Sequence, residues 1–570
     1  MPGVVAPKDP TMKRKGFYIM RDKSVAGLPQ PDGRGIQHLW MDCGRMVTAA
    51  KLVGNIEDSA ILDMLQTTAD FRKLVHSIGV TVEMDEHEEM VNFALQMYGK
   101  TDPYVSGTNI VVPIKADGME MIIDLESWDW SDDDDVPGQI RFEFAKPEMM
   151  ANVSVQLYLY DGYDVPEVED ENPVDFGSDA YKEMIKNAIV QTGNNARLKK
   201  AINKARAGEE ITIAFIGGSI TQGAGAVPIN TECYAYKMFK GLCELTGRGL
   251  EDNIHYVKAG VGGTPSELGM IRYDKDVLRD GTVKPDIVVV EFAVNDAGDE
   301  TGGECFDSLV RRILASDNEP AVILEFSVFS DDYNLQDRLA PVGVAYDLPM
   351  VSAKNTVTKQ FYLKAGEGKV VSKNQYFYDI YHPTNVGHSI MADGLIHLLK
   401  TVDAMDMDED MPDINTIAPA IGGAFQNVQR LDRKTNKVGA VIQPGSFDGT
   451  DTQLQYVEMN MDIIATPQFP DNWYYDGSKA DALVPFSMDI ECSTLLIVYK
   501  DSNSIDTGVA QVWVDGEKVL TIDPRLIGWT HCNPYICFRE KECKTYHVEV
   551  RMEPGYEDKV FTILGFGYVK

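Results

Sequence analysis

The fold class of this chain is decided by the stretch Ile213-Ala214-Phe215-Ile216-Gly217-Gly218-Ser219-Ile220-Thr221-Gln222-Gly223. An apolar run ends here in two glycines, and Ser219 follows in the turn before the next segment. Such a run is typical of a strand buried on both faces of a parallel sheet, and ligands collect at the carboxyl ends of these strands. We therefore expect an exposed serine hydroxyl at the edge of an α/β sheet.

Three other glycine-rich motifs are excluded by the same residues. No Gly-Lys-Ser/Thr follows, as a phosphate-binding P-loop requires, and no G-x-G-x-x-G fits around Gly223. The nucleophile elbow G-x-S-x-G also fails, because Thr221 stands where its last glycine belongs. The stretch predicts a reactive serine of another kind.

The surrounding sequence alternates short apolar runs with longer helical segments, which predicts a parallel sheet covered by helices on both faces. We place this α/β domain at residues 181–405, between two acidic, proline-containing stretches predicted to be solvated linkers. The runs span 211–216, 254–257, 287–292 and 321–326, the helical segments 234–245 and 306–315, and the linkers 164–173 and 406–413.

The flanking regions have a different pattern. Residues 1–180 are expected to form a β-rich accessory domain with a helical insertion, since helical periodicity occurs at 61–75 and again at 86–97. Residues 414–570 contain alternating strand-like runs, and Asp515-Gly516 between two of them is typical of a tight hairpin turn. This pattern predicts a C-terminal β-sandwich accessory domain.

A serine nucleophile needs a base, and His382 is the best candidate. It lies in the stretch Asp379-Ile380-Tyr381-His382-Pro383, so the Asp379 carboxylate is close enough to reach the imidazole Nδ1. That contact would fix the tautomer and stabilise the imidazolium formed when His382 takes the Ser219 proton. Thr384 or Asn385 can cap the helix that follows.

Two further stretches fit an acyl-transfer reaction. The strand 288–292 is followed by Asn295, whose amide can donate a hydrogen bond at the same sheet edge. The glycine-rich stretch 258–264 follows another strand and can present free backbone N–H groups. Together these groups can stabilise an oxyanion, although an Asn-Asp pair after a strand is on its own usually only a turn.

These segments resemble the sequence blocks of the SGNH, or GDSL, hydrolase superfamily, and in particular bacterial carbohydrate esterases with β-sandwich accessory domains. The resemblance covers roughly residues 181–402 and implies a flavodoxin-like three-layer core with a jelly-roll-like C-terminal domain. It implies that Ser219, Asp379 and His382 are catalytic. It also implies an oxyanion hole formed by the Ser219 N–H, the Gly263 N–H and the Asn295 amide.

Three positions depart from the family pattern. Gly218 replaces the aspartate of the family's name, Ala293 replaces a usual glycine, and Lys258 stands where an asparagine often precedes the second-block glycines. Gly218 is shared by many carbohydrate esterases of the superfamily, and Ala293 is a small-for-small change. Lys258 leaves open how the glycine-rich loop is supported.

Composition narrows the partners. The 570 residues carry 53 Lys+Arg against 88 Asp+Glu, a net charge of −35, which disfavours nucleic acids and anionic membranes. The sequence contains no run of about 18 apolar residues, so we expect no membrane-spanning helix.

The eight cysteines include no C-x-x-C pair, so we expect buried thiols, with no metal and no cofactor. The first ten residues lack a secretory signal, which predicts a cytoplasmic protein, or a secreted one if a leader has been removed.

The expected activity is removal of O-acetyl groups from plant-type oligo- or polysaccharides such as xylan or mannan fragments, through an acyl-enzyme. Aromatic side chains that could stack on sugar rings are Trp473 and Tyr474 in one stretch and Trp128 and Trp130 in another. Two alternatives stay open: a general short-chain acyl esterase or thioesterase with the same triad, and a sugar-binding protein with an inactive hydrolase domain.

Overall fold

The computed structural model describes residues 15–87, 89–167, 171–364, 366–462, 465–479 and 483–570. The first ten residues, on which the expectation about a secretory signal rests, lie outside this range, as do residues 168–170 of the first acidic stretch. Within the described ranges, no helix is long and apolar enough to cross a membrane.

The N-terminal part of the chain forms two antiparallel sheets that share one core. Its strands are β1 (Gly16–Ala26), β2 (Leu28–Pro29), β3 (Gly35–Trp40), β4 (Val75–Glu83), β5 (Met90–Gly99), β6 (Asn109–Lys115), β7 (Met121–Asp124), β8 (Asp134–Phe144) and β9 (Met150–Leu159). Its helices are α1 (Arg45–Gly54), α2 (Ser59–Met64) and α3 (Thr68–Leu74). The strand orders are β1-β9-β4-β7 and β2-β3-β8-β5-β6. Phe17 of the first sheet and Phe93 and Phe142 of the second belong to the same buried cluster.

One helical prediction in this region is confirmed in part and the other is wrong. The segment 61–75 becomes two short helices, α2 and α3, and Thr67 caps the second by accepting the Asp70 N–H. The segment 86–97 was predicted to be helical, but it enters strand β5. Val91, Phe93, Leu95 and Met97 alternate along it and all lie in the core. A period of two therefore describes this segment better than a period of 3.6.

The central part of the chain is a six-stranded sheet between two layers of helices. Its strands are β10 (Ile189–Gln191), β11 (Ile211–Gly217), β12 (Ile254–Gly260), β13 (Ile287–Glu291), β14 (Ala321–Phe326) and β15 (Met350–Ser352). Its helices are α4 (Asp179–Lys186), α5 (Ala196–Ala207), α6 (Ser219–Gln222), α7 (Ile229–Glu232), α8 (Tyr234–Thr246), α9 (Ser266–Asp276), α10 (Glu304–Leu314), α11 (Gln336–Ala345), α12 (Ala353–Phe361), α13 (Lys373–Tyr376) and α14 (Asn385–Ala404).

The strand order is β12-β11-β13-β14-β15-β10. The first five strands are parallel, and β10 pairs antiparallel with β15 at the edge. Taken in chain order, the parallel strands have the 2-1-3-4-5 arrangement of a flavodoxin-like sheet. The predicted SGNH-type α/β core is confirmed. In this order, the strand that follows β11 in the chain lies on one side of it and the later strands lie on the other side. The strand order thus reverses at β11, and a ligand-binding crevice is expected at the carboxyl ends of the strands there.

The C-terminal part is almost entirely strand. It contains β16 (Gln429–Leu431), β17 (Val441–Gln443), β18 (Tyr456–Val457), β19 (Thr466–Pro467), β20 (Trp473–Asp476), β21 (Phe486–Asp501), β22 (Ala510–Val514), β23 (Glu517–Ile522), β24 (His531–Met552) and β25 (Val560–Val569). All but β18 and β19 join one antiparallel sheet, in which β21 and β24 are the longest strands. Asp515 and Gly516 both have positive φ between β22 and β23, so the predicted tight hairpin is confirmed.

The C-terminal sheet packs directly on the central domain. One face of the central sheet shares a core with Leu496, Val498 and Leu564. The second acidic stretch is mostly exposed, and Asn195 holds it by donating its backbone N–H to the Asp408 carboxylate at 2.8 Å. Each of the three predicted units contains its own strands, and the boundaries between them stay a prediction.

One buried cation ties two strand ends together beneath the serine turn. Arg272 of α9 is fully buried and donates hydrogen bonds to the carbonyl oxygens of Gly217 at 2.8 Å and Ala259 at 2.6 Å. Its charge is paired with Asp276 at 3.2 Å. Because Gly217 ends β11 and Ala259 lies near the end of β12, this guanidinium fixes the spacing of the two loops that follow.

We predict that Arg272→Ala destabilises the protein by about 3–5 kcal/mol, because it leaves the Asp276 carboxylate without its partner and removes a charged donor from two buried carbonyls. Calorimetric unfolding of both proteins measures the effect. Lys275→Ala on the same helix is the control, and we expect it to unfold close to wild type. Equal transition temperatures for Arg272→Ala and wild type would contradict the role given to Arg272.

Candidate active site

Ser219 lies at the start of α6, directly after β11. The turn before it is closely packed and leaves no room for side chains. A Cβ on Gly217 would lie 2.4 Å from the Glu291 carbonyl oxygen, and one on Gly218 would lie 2.1 Å from Asn295 Oδ1. The two glycines therefore let the serine turn sit against the end of β13, with Asn295 directly beside it.

A buried carboxylate supports this turn from below. Glu291, the last residue of β13, is fully buried and accepts hydrogen bonds from the hydroxyls of Thr221, at 3.0 Å, and Ser327. Burial raises the pKa of Glu291. The two hydroxyl donors lower it, as do the backbone N–H groups of Gly218 and Thr221, but burial outweighs them. Sequence reasoning gave Glu291 no role. The available signal was an acidic residue inside an apolar strand, which needs buried partners.

His382 and Asp379 meet Ser219 at the same sheet edge. His382 Nδ1 lies 2.8 Å from Asp379 Oδ2, and His382 Nε2 lies 2.9 Å from Ser219 Oγ. The other Asp379 oxygen accepts the backbone N–H groups of Tyr381 and His382 at 2.7 and 2.8 Å. The loop is followed by α14, which Thr384 caps by accepting the Gly387 N–H.

The charges of this pair favour an acid–base role. Burial raises the pKa of Asp379, but the His382 ring and the two backbone donors outweigh burial and lower it overall. Burial lowers the pKa of His382, but Asp379 and, more weakly, Glu291 outweigh it and raise it above its ordinary value. An ionised Asp379 carboxylate can only accept a hydrogen bond, so His382 Nδ1 carries the proton that lies between them. Nε2 is then free to accept the Ser219 hydroxyl.

Asn295 follows β13, and its side-chain oxygen is buried without a hydrogen-bond partner in the described part of the chain. The next residue, Asp296, accepts the Ser266 backbone N–H at 2.7 Å and the Ser266 hydroxyl at 2.8 Å. Burial raises the pKa of Asp296 to about 8. Asp296 thereby joins the loop after β13 to the start of α9, which follows the glycine-rich loop.

The glycine-rich loop after β12 lies against the serine turn. A Cβ on Gly262 would lie 3.6 Å from Ser219 Cβ, and the Gly262 N–H donates to Gln222 Oε1 at 3.0 Å. Lys258 supports the turn from the other side by donating to the Gln222 carbonyl at 2.8 Å and Asn230 Oδ1 at 2.9 Å. Burial lowers the pKa of Lys258. The family's asparagine is therefore replaced by a lysine with its own set of partners.

The C-terminal region also holds this loop. Gln455 donates to the Gly262 carbonyl at 2.8 Å, and the buried His531 lies with Nε2 3.0 Å from the Gly263 carbonyl. Trp529 lies against Gly263, where a Cβ would be 2.7 Å from its ring. Gly263 has φ +73, so both its backbone conformation and its surroundings require glycine. Sequence reasoning missed these contacts.

The N-terminal region holds the loop that carries His382. Lys23 of β1 is buried and donates to the carbonyl oxygens of Phe377, at 2.8 Å, and Asn374. Burial lowers the pKa of Lys23 to about 7, and Glu171, Asp22 and Asp379 oppose this shift. Tyr378 packs against the N-terminal core. Both flanking regions thus contact the loops that surround Ser219.

The aromatic residues predicted to contact sugar have mixed outcomes. Trp473 is 2 % exposed and packs on Phe486 and Phe566 inside the C-terminal sheet, so the prediction that it contacts substrate is wrong. Trp473 shares the buried face of β20 with Tyr475, and the half-buried Tyr474 lies on the other face. The remaining three, Tyr474, Trp128 and Trp130, are half-buried, and their contact with substrate stays a prediction.

A flavodoxin-like sheet with a hydrogen-bonded Ser, His and Asp at its carboxyl edge defines a class, the carboxylic ester hydrolases. Residues 215–390 match the model of the GDSL-like lipase/acylhydrolase family, which identifies this part of the chain as a GDSL-like domain. The resemblance found in the sequence is therefore confirmed.

Solved structures show a similar architecture. The chain is similar to a two-domain esterase (CEX) active on acetylated mannans, with 27% identity and a TM-score of 0.57. That match covers 68% of this chain and 99% of the other. The same esterase co-crystallised with mannopentaose matches at 26% identity and a TM-score of 0.56, covering 68% and 98%. No curated protein matches the chain.

We predict that the pH profile of kcat/KM has an acidic limb set by His382, and that this limb lies at a higher pH than the ordinary pKa of a histidine would give. The raised pKa keeps the imidazole protonated, and unable to accept the Ser219 proton, up to a higher pH than usual. Asp379→Asn removes the charge that raises this pKa, so the limb should move to lower pH while kcat falls about 10⁴-fold.

Profiles of the wild type and of Asp379→Asn test this expectation. Asp403→Asn, near the other end of α14, is the matched control and should keep the wild-type profile. A limb that stays in place in Asp379→Asn would show that another group sets it.

We also predict that Asn295→Ala lowers kcat about 10²–10³-fold while the protein stays folded, because one donor to the oxyanion is lost. Steady-state kinetics with circular dichroism as the folding check measure both parts. Activity near that of the wild type would remove Asn295 from the oxyanion hole.

Proposed function

We propose that the protein removes O-acetyl groups from acetylated oligo- or polysaccharides, with mannan-type fragments favoured over xylan-type ones. The observation that carries this proposal is the hydrogen-bonded chain from Ser219 through His382 to Asp379 at the carboxyl edge of the sheet. The preference for mannan is supported by the similarity to an esterase active on acetylated mannans.

The reaction proceeds in two steps. His382 Nε2 accepts the Ser219 proton while Ser219 Oγ attacks the acetyl carbonyl carbon, and the tetrahedral oxyanion is held by the N–H groups of Ser219 and Gly263 and the amide of Asn295. The C–O bond to the sugar breaks, and His382 returns its proton to the sugar oxygen. Water, deprotonated by His382, then attacks the acetyl-enzyme and releases acetate.

The surroundings of Gly263 support a small acyl group. The Trp529 ring lies against this glycine, next to where the oxyanion is proposed to bind. His531 packs beside Trp529, with 4.7 Å between the ring centroids. These rings border the proposed oxyanion position on one side, and an acetyl group is the acyl group that needs the least room beside them.

The two alternatives make different demands on the same residues. A general short-chain esterase or thioesterase would use the triad without a carbohydrate site. A sugar-binding protein without activity would not need Ser219 and His382 at hydrogen-bonding distance, and the observed 2.9 Å favours an active hydrolase.

The test is acetate release from acetylated manno- and xylo-oligosaccharides, beside p-nitrophenyl acetate, for wild type, Ser219→Ala and Ser316→Ala. We expect Ser219→Ala to lose more than about 10⁴-fold in kcat because the nucleophile is absent. Ser316→Ala, which changes a serine near the opposite edge of the sheet, should match wild type.

Two outcomes would contradict the proposal. Rapid release of nitrophenol without acetate from any sugar would favour the general esterase. Equal rates for wild type and Ser219→Ala would exclude the serine mechanism.

A further inference from the structure

A cavity of about 280 Å³ lies between the N-terminal region and the loop that carries His382. One wall is formed by His38, Trp40 and Arg45, from β3 and the start of α1, and the other includes Tyr381 and His382. Its volume is close to the lower end of small-molecule binding sites, roughly 300 Å³. The sequence gave no indication of this cavity, because its two walls are more than 300 residues apart in the chain.

The position of the cavity decides which part of an ester can enter it. His382 must return its proton to the leaving alcohol, so the alcohol lies on the side of His382. The acyl oxygen points to the opposite side, toward the proposed donors on Gly263 and Asn295. The cavity is lined by His382 and by neither of these two residues. It is therefore placed to hold the alcohol part of the ester.

Aliphatic side chains form about half of the wall, and aromatic faces and polar groups make up most of the rest. Trp40 is 44 % exposed and Tyr381 46 % exposed, large fractions for aromatic side chains beside a buried core. His38 is stacked on Trp40 with 5.6 Å between centroids and 12° between planes, and its Nδ1 lies 2.9 Å from Gln139 Oε1. The Trp40 indole thus packs on a ring that is itself hydrogen-bonded. The Arg45 guanidinium, which lines the same cavity and lies 3.4 Å from the Asp42 carboxylate, has further N–H groups that can donate.

We propose that this cavity binds a sugar unit of the alcohol part of the substrate, with the Trp40 ring as its stacking face. A pyranose presents C–H groups on its faces and hydroxyls around its rim, which fits an aromatic face with Arg45 at its side. The N-terminal region is then a determinant of substrate specificity. This inference rests on the proposed function.

The test compares KM and kcat for an acetylated manno-oligosaccharide and for ethyl acetate, whose alcohol is too small to reach Trp40. We expect Trp40→Ala to raise KM for the oligosaccharide about tenfold with little change in kcat, and to leave ethyl acetate hydrolysis unchanged. Trp40→Phe should recover most of the affinity. Tyr104→Ala, an exposed aromatic of the same region that does not line the cavity, is the matched control and should behave as wild type.

Three results would overturn the inference. An unchanged oligosaccharide KM in Trp40→Ala would show that no sugar stacks there, and an equal loss on both substrates would show a structural role only. A selective loss on p-nitrophenyl butyrate relative to the acetate ester would assign the cavity to an acyl chain. Failure of the proposed function is separate, since the wild type would then release no acetate from sugars.

Discussion

The hydrogen bond between Ser219 and His382 joins two segments that are 163 residues apart in the chain. It forms only if both segments are held in place, and the surrounding contacts act on one segment or the other. The serine is fixed by a short turn packed against the end of β13, with Glu291 below it. The histidine loop lies between α13 and α14. It is held locally by the Asp379 carboxylate, which accepts the Tyr381 and His382 N–H groups, and by the Ser330 N–H, which donates to the Ile380 carbonyl at 3.0 Å. A misplacement of about 1 Å between reacting groups can cost about 10²-fold in rate, so further contacts from outside the central domain help to keep this loop in place.

The N-terminal region supplies that support. Lys23 donates to two carbonyls just before Asp379, and Tyr378 extends into the N-terminal core. The glycine-rich loop is held in the same way from the other side, by Gln455 and His531. The central α/β region and the two β-rich regions thus meet at the site, and each β-rich region contacts a different loop beside Ser219. Lys258 is one of several residues that hold this part of the site, beside Gln455 and His531.

The sequence predicted the parts of the site that are local in the chain. Asp379 and His382 are three residues apart, and Ser219 lies in the turn after a strand, so their meeting at one sheet edge could be predicted from spacing and strand order. The support of the site could not be read in this way. Trp40, Lys23 and His531 reach the site from distant strands, and nothing in their own sequence surroundings indicates which loop they contact. The wrong prediction for Trp473 has the same cause, since an aromatic at a strand start is buried or exposed according to the register of a sheet not yet known.

The hydrogen bond between His531 and Gly263 joins the C-terminal region to the glycine-rich loop beside Ser219. The Gly263 carbonyl can only accept a hydrogen bond, so His531 Nε2 must carry a proton. Nδ1 faces the buried Asp501 carboxyl at 3.0 Å. Burial raises the pKa of Asp501, while His531, Asn533 and Tyr499 oppose this shift. The hydrogen bond between Nδ1 and Asp501 needs one proton of its own, which can be bonded to either the nitrogen or the carboxylate oxygen. In both cases His531 keeps the proton on Nε2 and donates it to the Gly263 carbonyl. The Gly263 carbonyl is thus held whichever group carries that proton. The peptide that carries the Gly263 N–H, the proposed oxyanion donor, is held by a different contact, the hydrogen bond that Gln455 donates to the Gly262 carbonyl at 2.8 Å.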